Sequence, residues 1–553
     1  MKDLLKQLYP NDLDFVLEQV SCLKRKYNPD NSKDLSKLTH QDCILITYGD
    51  AIFEPSRTPL SSLKRFADEY LKEGISAIHL LPCFPYTSDD GFSVVDYYEI
   101  NSELGSWKDI DELKITFDIM FDAVVNHMSK KSSWFQDFLR GTETFDTYFI
   151  EADPNADYSD VVRPRALPLL HKFDKQGKEV YVWTTFSEDQ VDLNYRSAKV
   201  FIQVLDVLLF YIHKGARYIR LDAIAFLWKT MGTSCIHLKE THMVIQAYRQ
   251  VFNEIAPHAI IITETNVPHV ENVSYFGNGS NEAHMVYNFT LPPLLAHSIH
   301  EQEISTLTKW AKSLSLPSSE TCFFNFTASH DGVGVRPLQG IIADEEITRL
   351  AEKAELHGGF VSYKDNGDGT KSPYELNCNY MDLITHPSSE NTIRAQRFLL
   401  TQSVMLVMPG VPGIYYHSIL GSENDREEAV RSGINRRINR QKLPYDDIVH
   451  QLGKTNSLRS IVYRNYMELL KIRKQEKLFS PFSQASYTEE KSVFIIERKD
   501  TGQRLFAIHN FSNNGVKIKS RCPVALNLRT GEEMSDVYWT LQAFEFKWLK
   551  ESI

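Results

Sequence analysis

Two acidic side chains, each ending an apolar run, carry the first chemical signal. In Tyr218-Ile219-Arg220-Leu221-Asp222, the alternation of an extended strand puts Arg220 and Asp222 on one side and Leu221 on the other. A guanidinium beside a carboxylate keeps it ionised and oriented, as a nucleophile requires. A buried ion pair that only knits a core gives the same pattern. The run Ile260-Ile261-Ile262-Thr263 is apolar until Glu264. A carboxyl beside a low-dielectric wall is held protonated toward neutral pH, which suits a general acid. If the two runs are consecutive strands of one sheet, the carboxyls can face each other. A retaining displacement at a sugar carbon wants about 5–5.5 Å between them. A third acid, Asp331, follows His330 after the run Phe323–Phe326. A carboxylate that does not attack can still stabilise positive charge developing on a sugar ring. His330 is a hydroxyl donor or a satisfied structural histidine. Asp122-Ala123-Val124-Val125-Asn126-His127 ends another apolar run, with Asn126 fixing the loop and His127 able to touch a sugar.

The elements that must position these groups are legible as short apolar runs alternating with amphipathic stretches. The runs are Cys43–Tyr48, Ala77–Leu81, Ile119–Val125, Tyr218–Leu221, Ile260–Thr263, Val286–Phe289, Phe323–Phe326 and Ile414–Tyr416. Continuous apolar runs of this length fit parallel strands covered by helices. Stretches such as Leu60–Lys72, Ala198–His213 and Glu240–Ile255 supply the helices. Strand, helix and strand repeated in this way predict an α/β fold of the (β/α)₈ TIM barrel type over 42–475, a doubly wound open sheet being the alternative. Two connections exceed the usual loop length of about 2–6 residues. They predict inserted subdomains at 128–195, after the third strand, and at 332–395, after the seventh. Both would leave the strands' C-terminal ends, where barrel enzymes build their sites. Residues 1–41 read as a helical extension, and the alternation after 476 as a small C-terminal β-domain over 476–553.

Composition bounds the function. Charged residues are 24% of the chain and the net charge is −11, which argues against a nucleic-acid or acidic-membrane surface. An anionic substrate therefore needs a local basic pocket. The charged N-terminus lacks the apolar core of a signal peptide, and no run approaches the length of a membrane span. Seven scattered cysteines without a Cys-x-x-Cys pair read as packed thiols in a cytoplasmic protein rather than a disulfide framework or zinc site. The first long connection has no dense acidic loop that would demand calcium. No metal and no cofactor are expected.

Taken in order, Asp122–His127, Arg220–Ala223, Glu264 and His330-Asp331 resemble the four short conserved regions of the α-amylase superfamily, glycoside hydrolase family 13. The resemblance implies Asp222 as nucleophile, Glu264 as general acid/base and Asp331 as transition-state stabiliser, with Arg220, His127 and His330 contacting sugar. Further segments, among them Ser88–Tyr97, Arg163-Pro164-Arg165, Gly232–Cys235, Leu291–Leu294, Pro409–Gly413 and Arg437–Arg440, look like the sucrose phosphorylase group over roughly 42–475. In that group a glucosyl unit passes from an α-glucoside to phosphate, giving α-glucose 1-phosphate with retention. By that resemblance Arg165 and Tyr374 hold phosphate, a guanidinium supplying charge and a planar fork of donors. Asp89 and Arg440 grip the far hydroxyls of glucose. Phe92 and Phe186 line its apolar face or simply pack the core.

The chain departs from the sucrose phosphorylases where the acceptor sits. Asn266 stands two residues after Glu264 in place of their histidine, and Glu375 follows Tyr374 in place of their glutamine. The run Ile261–His269, with Pro164–Leu170, looks most like the glucosylglycerate phosphorylases. The substrates implied are a small α-glucoside and inorganic phosphate. Sucrose, sucrose 6′-phosphate and glucosylglycerol remain alternative glucosides. A hydrolase of the same superfamily, or a barrel kept as a non-catalytic binding module, are the alternative classes, the last opposed by retention of all three acids.

Overall fold

Apolar side chains fill each of the expected strands, and the computed structural model closes these strands into an eight-stranded parallel barrel. It describes residues 1–27, 38–164, 167–366 and 369–552. The barrel strands are β1 (Ile44–Thr47), β2 (Ala77–Leu80), β3 (Asp118–Ala123), β4 (Ala216–Leu221), β5 (Ile260–Thr263), β6 (Met285–Tyr287), β7 (Cys322–Phe326) and β8 (Val411–Tyr415). Each neighbours the next in sequence, and β8 pairs with β1 through Ile44↔Gly413 to close the ring. The closed barrel therefore replaces the open-sheet alternative. Strands β1, β2, β5, β7 and β8 are buried at every position, as a sheet sealed on both faces requires.

The chain divides into two compact units, Met1–Lys37 with His79–Thr265 and Glu271–Val286, and Leu38–Ile78 with Asn266–Val270 and Tyr287–Ile553. In the first, the helix Ala198–His213 forms where the sequence predicts it and buries Val200, Phe201, Val204, Leu205, Val207, Leu208, Leu209, Tyr211 and Ile212. Phe201 stacks on Tyr248 of the helix Lys239–Ile255 at 4.9 Å between ring centres. Each such apolar side chain stabilises by about 1.5–3 kcal/mol when fully buried. At the N-terminus, helices Lys2–Leu8 and Leu13–Lys26 are pinned by Tyr9, whose hydroxyl donates to the Tyr195 carbonyl at 2.9 Å. After β3 the chain makes the helix Ser133–Leu139, the hairpin Leu170–Lys175 with Lys178–Trp183, and the short pair His127–Ser129 with Gln190–Asp192.

In the second unit, a buried asparagine ties β7 to its surroundings. Asn325 accepts from Asn288 at 3.0 Å and donates to the carbonyls of Met408 and Pro409. Gly410, at φ 138°, passes so close that a Cβ would lie 2.3 Å from the Phe323 carbonyl, so only glycine fits. After β7 come Val333-Gly334, the helix Asp344–Leu356 and the hairpin Phe360–Asp365 with Lys371–Asn377. The C-terminal residues form a six-stranded antiparallel sheet around Val493–Asp500, Gln503–Asn510 and Phe546–Glu551. One face packs Val493, Ile495, Phe506 and Ile508 on Trp539 and Leu541. The other face is also buried: Trp548 and His509 both bond the Ser403 hydroxyl, on the helix Asn391–Val407. This second dry face is why Val493-Phe494-Ile495-Ile496 is apolar and buried at every position, where alternation is expected.

Candidate active site

Register brings the acids of the first unit together. Arg220 of β4 lies opposite Asp122 of β3 and Ile262 of β5. Its Nη1 donates to Asp122 at 2.6 Å and to Asp222 at 2.7 Å, and its Nη2 stands 3.8 Å from Glu264. The nucleophile and acid candidates therefore face one guanidinium. The turn beyond β4 adds a second link, since the Ala223 N–H donates to Glu264 Oε2 at 3.2 Å. Ala223 is left-handed at φ 47°, which costs about 1–2 kcal/mol for a residue with a Cβ and is tolerated where a site dictates the backbone. Asp122 also binds His79, buried on β2, whose Nε2 lies 3.1 Å from the carboxylate. Burial lowers the His79 pKa, and facing a carboxylate its proton belongs on Nε2.

Burial also pushes the Asp222 carboxyl well above the usual aspartate range. Arg220 pulls it down, while the charges of Glu264 and Asp122 push it further up. Arg220 holds the Asp222 carboxylate at 2.7 Å, while its pull on the pKa is outweighed by burial. One guanidinium shared among three carboxylates does not offset the desolvation of Asp222.

The loop after β2 and the segment after β3 supply the remaining candidates of this unit. His127 is buried, with Nε2 2.9 Å from the Phe92 carbonyl and its ring 5.1 Å from that of Phe186. Phe92 lies 5.9 Å below the Arg220 guanidinium. Asp89 and Asp90 sit at φ 52° and 48°, and Gln190 Nε2 reaches both Asp89 Oδ2 at 3.3 Å and the Phe92 carbonyl at 3.1 Å. Asn126, read as a loop-fixing residue, is tied to the network around Lys229. The Lys229 ammonium contacts Asp192 at 2.6 Å and Asn126 at 3.0 Å, all three buried. Sequence reasoning missed Lys229, Asp192, Asp189 and Gln190, which lie outside any recognised motif.

In the second unit, Asp331 is held by Arg436 Nη1 at 2.6 Å, with His330 Nε2 and Arg440 Nη2 each 3.6 Å away. Arg440 Nε donates to the His330 carbonyl at 2.8 Å. Glu375, for which the sequence offers no role beyond its place in the motif, is buried and bidentate with the same Arg436 at 3.0 and 2.6 Å. Arg436 thus bridges Asp331 and Glu375. It was missed because the recognised motif begins one residue later, at Arg437. Glu375 pairs in register with Gly334, and a Cβ on Gly334 would meet the Asn266 amide at 2.5 Å. Asn266 and Glu375, the two residues that depart from the sucrose phosphorylase pattern, therefore flank one glycine. The backbone carbonyl of Tyr374 accepts from Val335 N–H at 3.1 Å. Arg165 lies outside the described residues. Among the described residues no cluster of His, Cys, Asp and Glu is arranged to hold a metal ion.

A model of the α-amylase catalytic domain matches residues 68–336. A glucosylglycerate phosphorylase from Spirochaeta thermophila is 45% identical over 86% of this chain and 81% of its own length. One from Escherichia coli K12 is 46% identical over 86% of this chain and 85% of its own length. In structure, the sucrose 6F-phosphate phosphorylase from Thermoanaerobacter thermosaccharolyticum superposes with a TM-score of 0.78 at 23% identity, over 92% of this chain and 100% of that one. That last likeness concerns the fold.

Proposed function

The chain belongs to the α-amylase family, in the branch of the glucosylglycerate phosphorylases, and from that membership we infer a retaining α-glucoside phosphorylase acting on glucosylglycerate. The reading is carried by 45–46% identity to two such enzymes over most of their length. Double displacement follows from the residues. Asp222 attacks the anomeric carbon as its C–O bond to the leaving group breaks, and Glu264 gives its proton to the departing glycerate oxygen. Hydrogen phosphate then attacks the β-glucosyl ester and gives its proton to Glu264 as Asp222 leaves, so α-glucose 1-phosphate forms with configuration retained and the acid is restored. The reactive state puts the single proton on Glu264 and leaves Asp222 ionised against Arg220 at 2.7 Å. Phosphate is already ionised and needs positive charge more than a base.

The other roles come with the resemblance. Asp331 stabilises the developing charge on the ring, Asp89 and Arg440 hold the far hydroxyls, and His127, His330, Phe92 and Phe186 line the sugar. Arg165 and Tyr374 hold phosphate, while Asn266 and Glu375 face the leaving group. The cycle closes with these side chains and the two substrates, without a cofactor, metal or nucleic acid. No helix among the described residues is long and apolar enough to cross a membrane, and the seven cysteines are unpaired thiols. We place the enzyme in the cytoplasm on the thiols' account.

Running the reaction backwards tests the substrate. With α-glucose 1-phosphate as donor, phosphate release is expected to be fastest with glycerate and slower with glycerol, fructose or fructose 6-phosphate. Equal release without any acceptor would instead identify a hydrolase.

A further inference from the structure

The turn that carries Asp89 is unfavourable on its own. Asp89 and Asp90 are consecutive left-handed residues, at φ 52° and 48°, neither of them glycine. Gly91 follows at φ 112°, and a Cβ there would meet the Pro82 carbonyl at 2.6 Å. Such a turn persists only where neighbours over-determine it. Its neighbours converge on one carboxylate. Asp189 Oδ2 accepts from the hydroxyls of Thr87, at 2.6 Å, and Ser88, while Oδ1 accepts from Ser129 at 3.1 Å. Ser88 in turn meets Ser93 at 2.8 Å, on the far side of the turn. Thus the residues flanking the strained pair are tied to a tight turn of the segment after β3, where Gln190 N–H donates to the Ser187 carbonyl at 2.9 Å. The next residue, Gln190, reaches Asp89 itself.

We propose that Asp189 is a positioning residue for glucosyl recognition: its carboxylate holds Thr87 and Ser88 so that the left-handed Asp89–Asp90 turn presents Asp89 to the sugar. This rests on the reading that Asp89 grips the glucosyl hydroxyls. Asp189 acts through Asp89, both of its carboxylate oxygens being taken by hydroxyl donors. Two charge-assisted hydrogen bonds to the loop, from Thr87 and Ser88, with a third fixing the carboxylate to Ser129, favour one backbone geometry, and misplacement of a binding group by about 1 Å weakens its contacts steeply.

The test is reverse phosphorolysis of α-glucose 1-phosphate with glycerate, using Asp189→Ala, Ser88→Ala, Asp89→Ala and the double variant Asp89→Ala/Asp189→Ala. Asp189→Ala is expected to raise KM for α-glucose 1-phosphate on the order of tenfold, with kcat and KM for glycerate changed less than threefold. Ser88→Ala should move KM the same way without touching the carboxylate. In the Asp89→Ala background the Asp189 change should add nothing, because residues acting through one another are not additive. Additive losses, or a fall in kcat with both KM values together, would mark Asp189 as merely structural and overturn the proposal. A normal KM in Asp189→Ala beside a raised KM in Asp89→Ala refutes Asp189 alone. A normal KM in Asp89→Ala removes the sugar-gripping reading, and the proposal with it.

Discussion

A carboxylate poised for attack is expensive to keep, and Asp222 shows how. Burial raises its pKa above that of the unfolded chain, about 3.9, against the pull of Arg220, so the ionised form that attack requires is held at a cost to folding. The stability linked to its proton is fully present below the unfolded pKa and is lost as pH rises through the folded one. Asp222→Asn removes that loss. Its melting temperature at pH 7 is expected to equal or exceed that of the parent, the advantage shrinking toward pH 4, while turnover falls on the order of 10³-fold or more. A variant that melts earlier at pH 7 than at pH 4, relative to the parent, would contradict the sign. Glu264→Gln should lose turnover comparably, because proton delivery to the leaving oxygen is deleted. These two acids were legible because each ends an apolar run. Glu375 and Arg436 were not legible as a pair, since 61 residues separate them and no local pattern announces a bidentate contact. Glu375→Ala leaves Arg436 with Asp331 and an emptied contact. Arg436 is partly exposed, so the expected destabilisation is about 1–3 kcal/mol, read as a shifted urea midpoint.

Elements divide by how local their cause is. The continuous apolar runs gave β5 at its observed ends, and helix Ala198–His213 was equally plain, because strand burial and a buried helix face write directly into the pattern. What patterns do not write is how a long connection is tied to the strand it leaves. After β3 that tie is polar and buried. Lys229 contacts Asp192 and Asn126, and Asp192 also accepts from the Thr185 N–H and hydroxyl, both at 2.7 Å. Lys229 alone would read as an ordinary surface lysine. Breaking a buried pair leaves an uncompensated charge, typically worth about 3–5 kcal/mol. The Thr185 donors soften this, so Lys229→Met should destabilise by about 2–4 kcal/mol. Adding Asp192→Asn removes the stranded charge and should restore part of the loss. If the double variant is no more stable than Lys229→Met by chemical denaturation, the ion pair is not what holds this connection.

For the molecule as a whole, barrel closure followed from counting strands, but the residues that lock distant segments did not follow from anything local. Arg473 is one. It lies in the last turn of the helix Leu458–Gln475, where a basic residue ordinarily complements the helix dipole from solvent. Instead it is buried and donates to the carbonyls of His40 at 2.6 Å, Asp42 at 3.0 Å, Leu406 at 3.2 Å, Gly410 at 3.3 Å and Phe479 at 3.4 Å. Those oxygens come from the approach to β1, the end of helix Asn391–Val407, the entry to β8 and the entry to the C-terminal sheet. A planar guanidinium with several donors in a fixed fork satisfies them at once; an ammonium could not match that geometry. Burial lowers its pKa from an ordinary value so high that the charge persists at neutral pH. Arg473→Met keeps most of the volume but orphans buried carbonyls from sequence-distant segments. The expected loss is on the order of 3–5 kcal/mol, with a lower melting temperature and less soluble protein. The fraction that folds should retain the parent's KM for α-glucose 1-phosphate, because Arg473 bonds backbone carbonyls and none of the proposed site side chains. A melting temperature unchanged within a degree would mean that these carbonyls find other donors, and that the segments meeting at Arg473 are held by apolar packing alone.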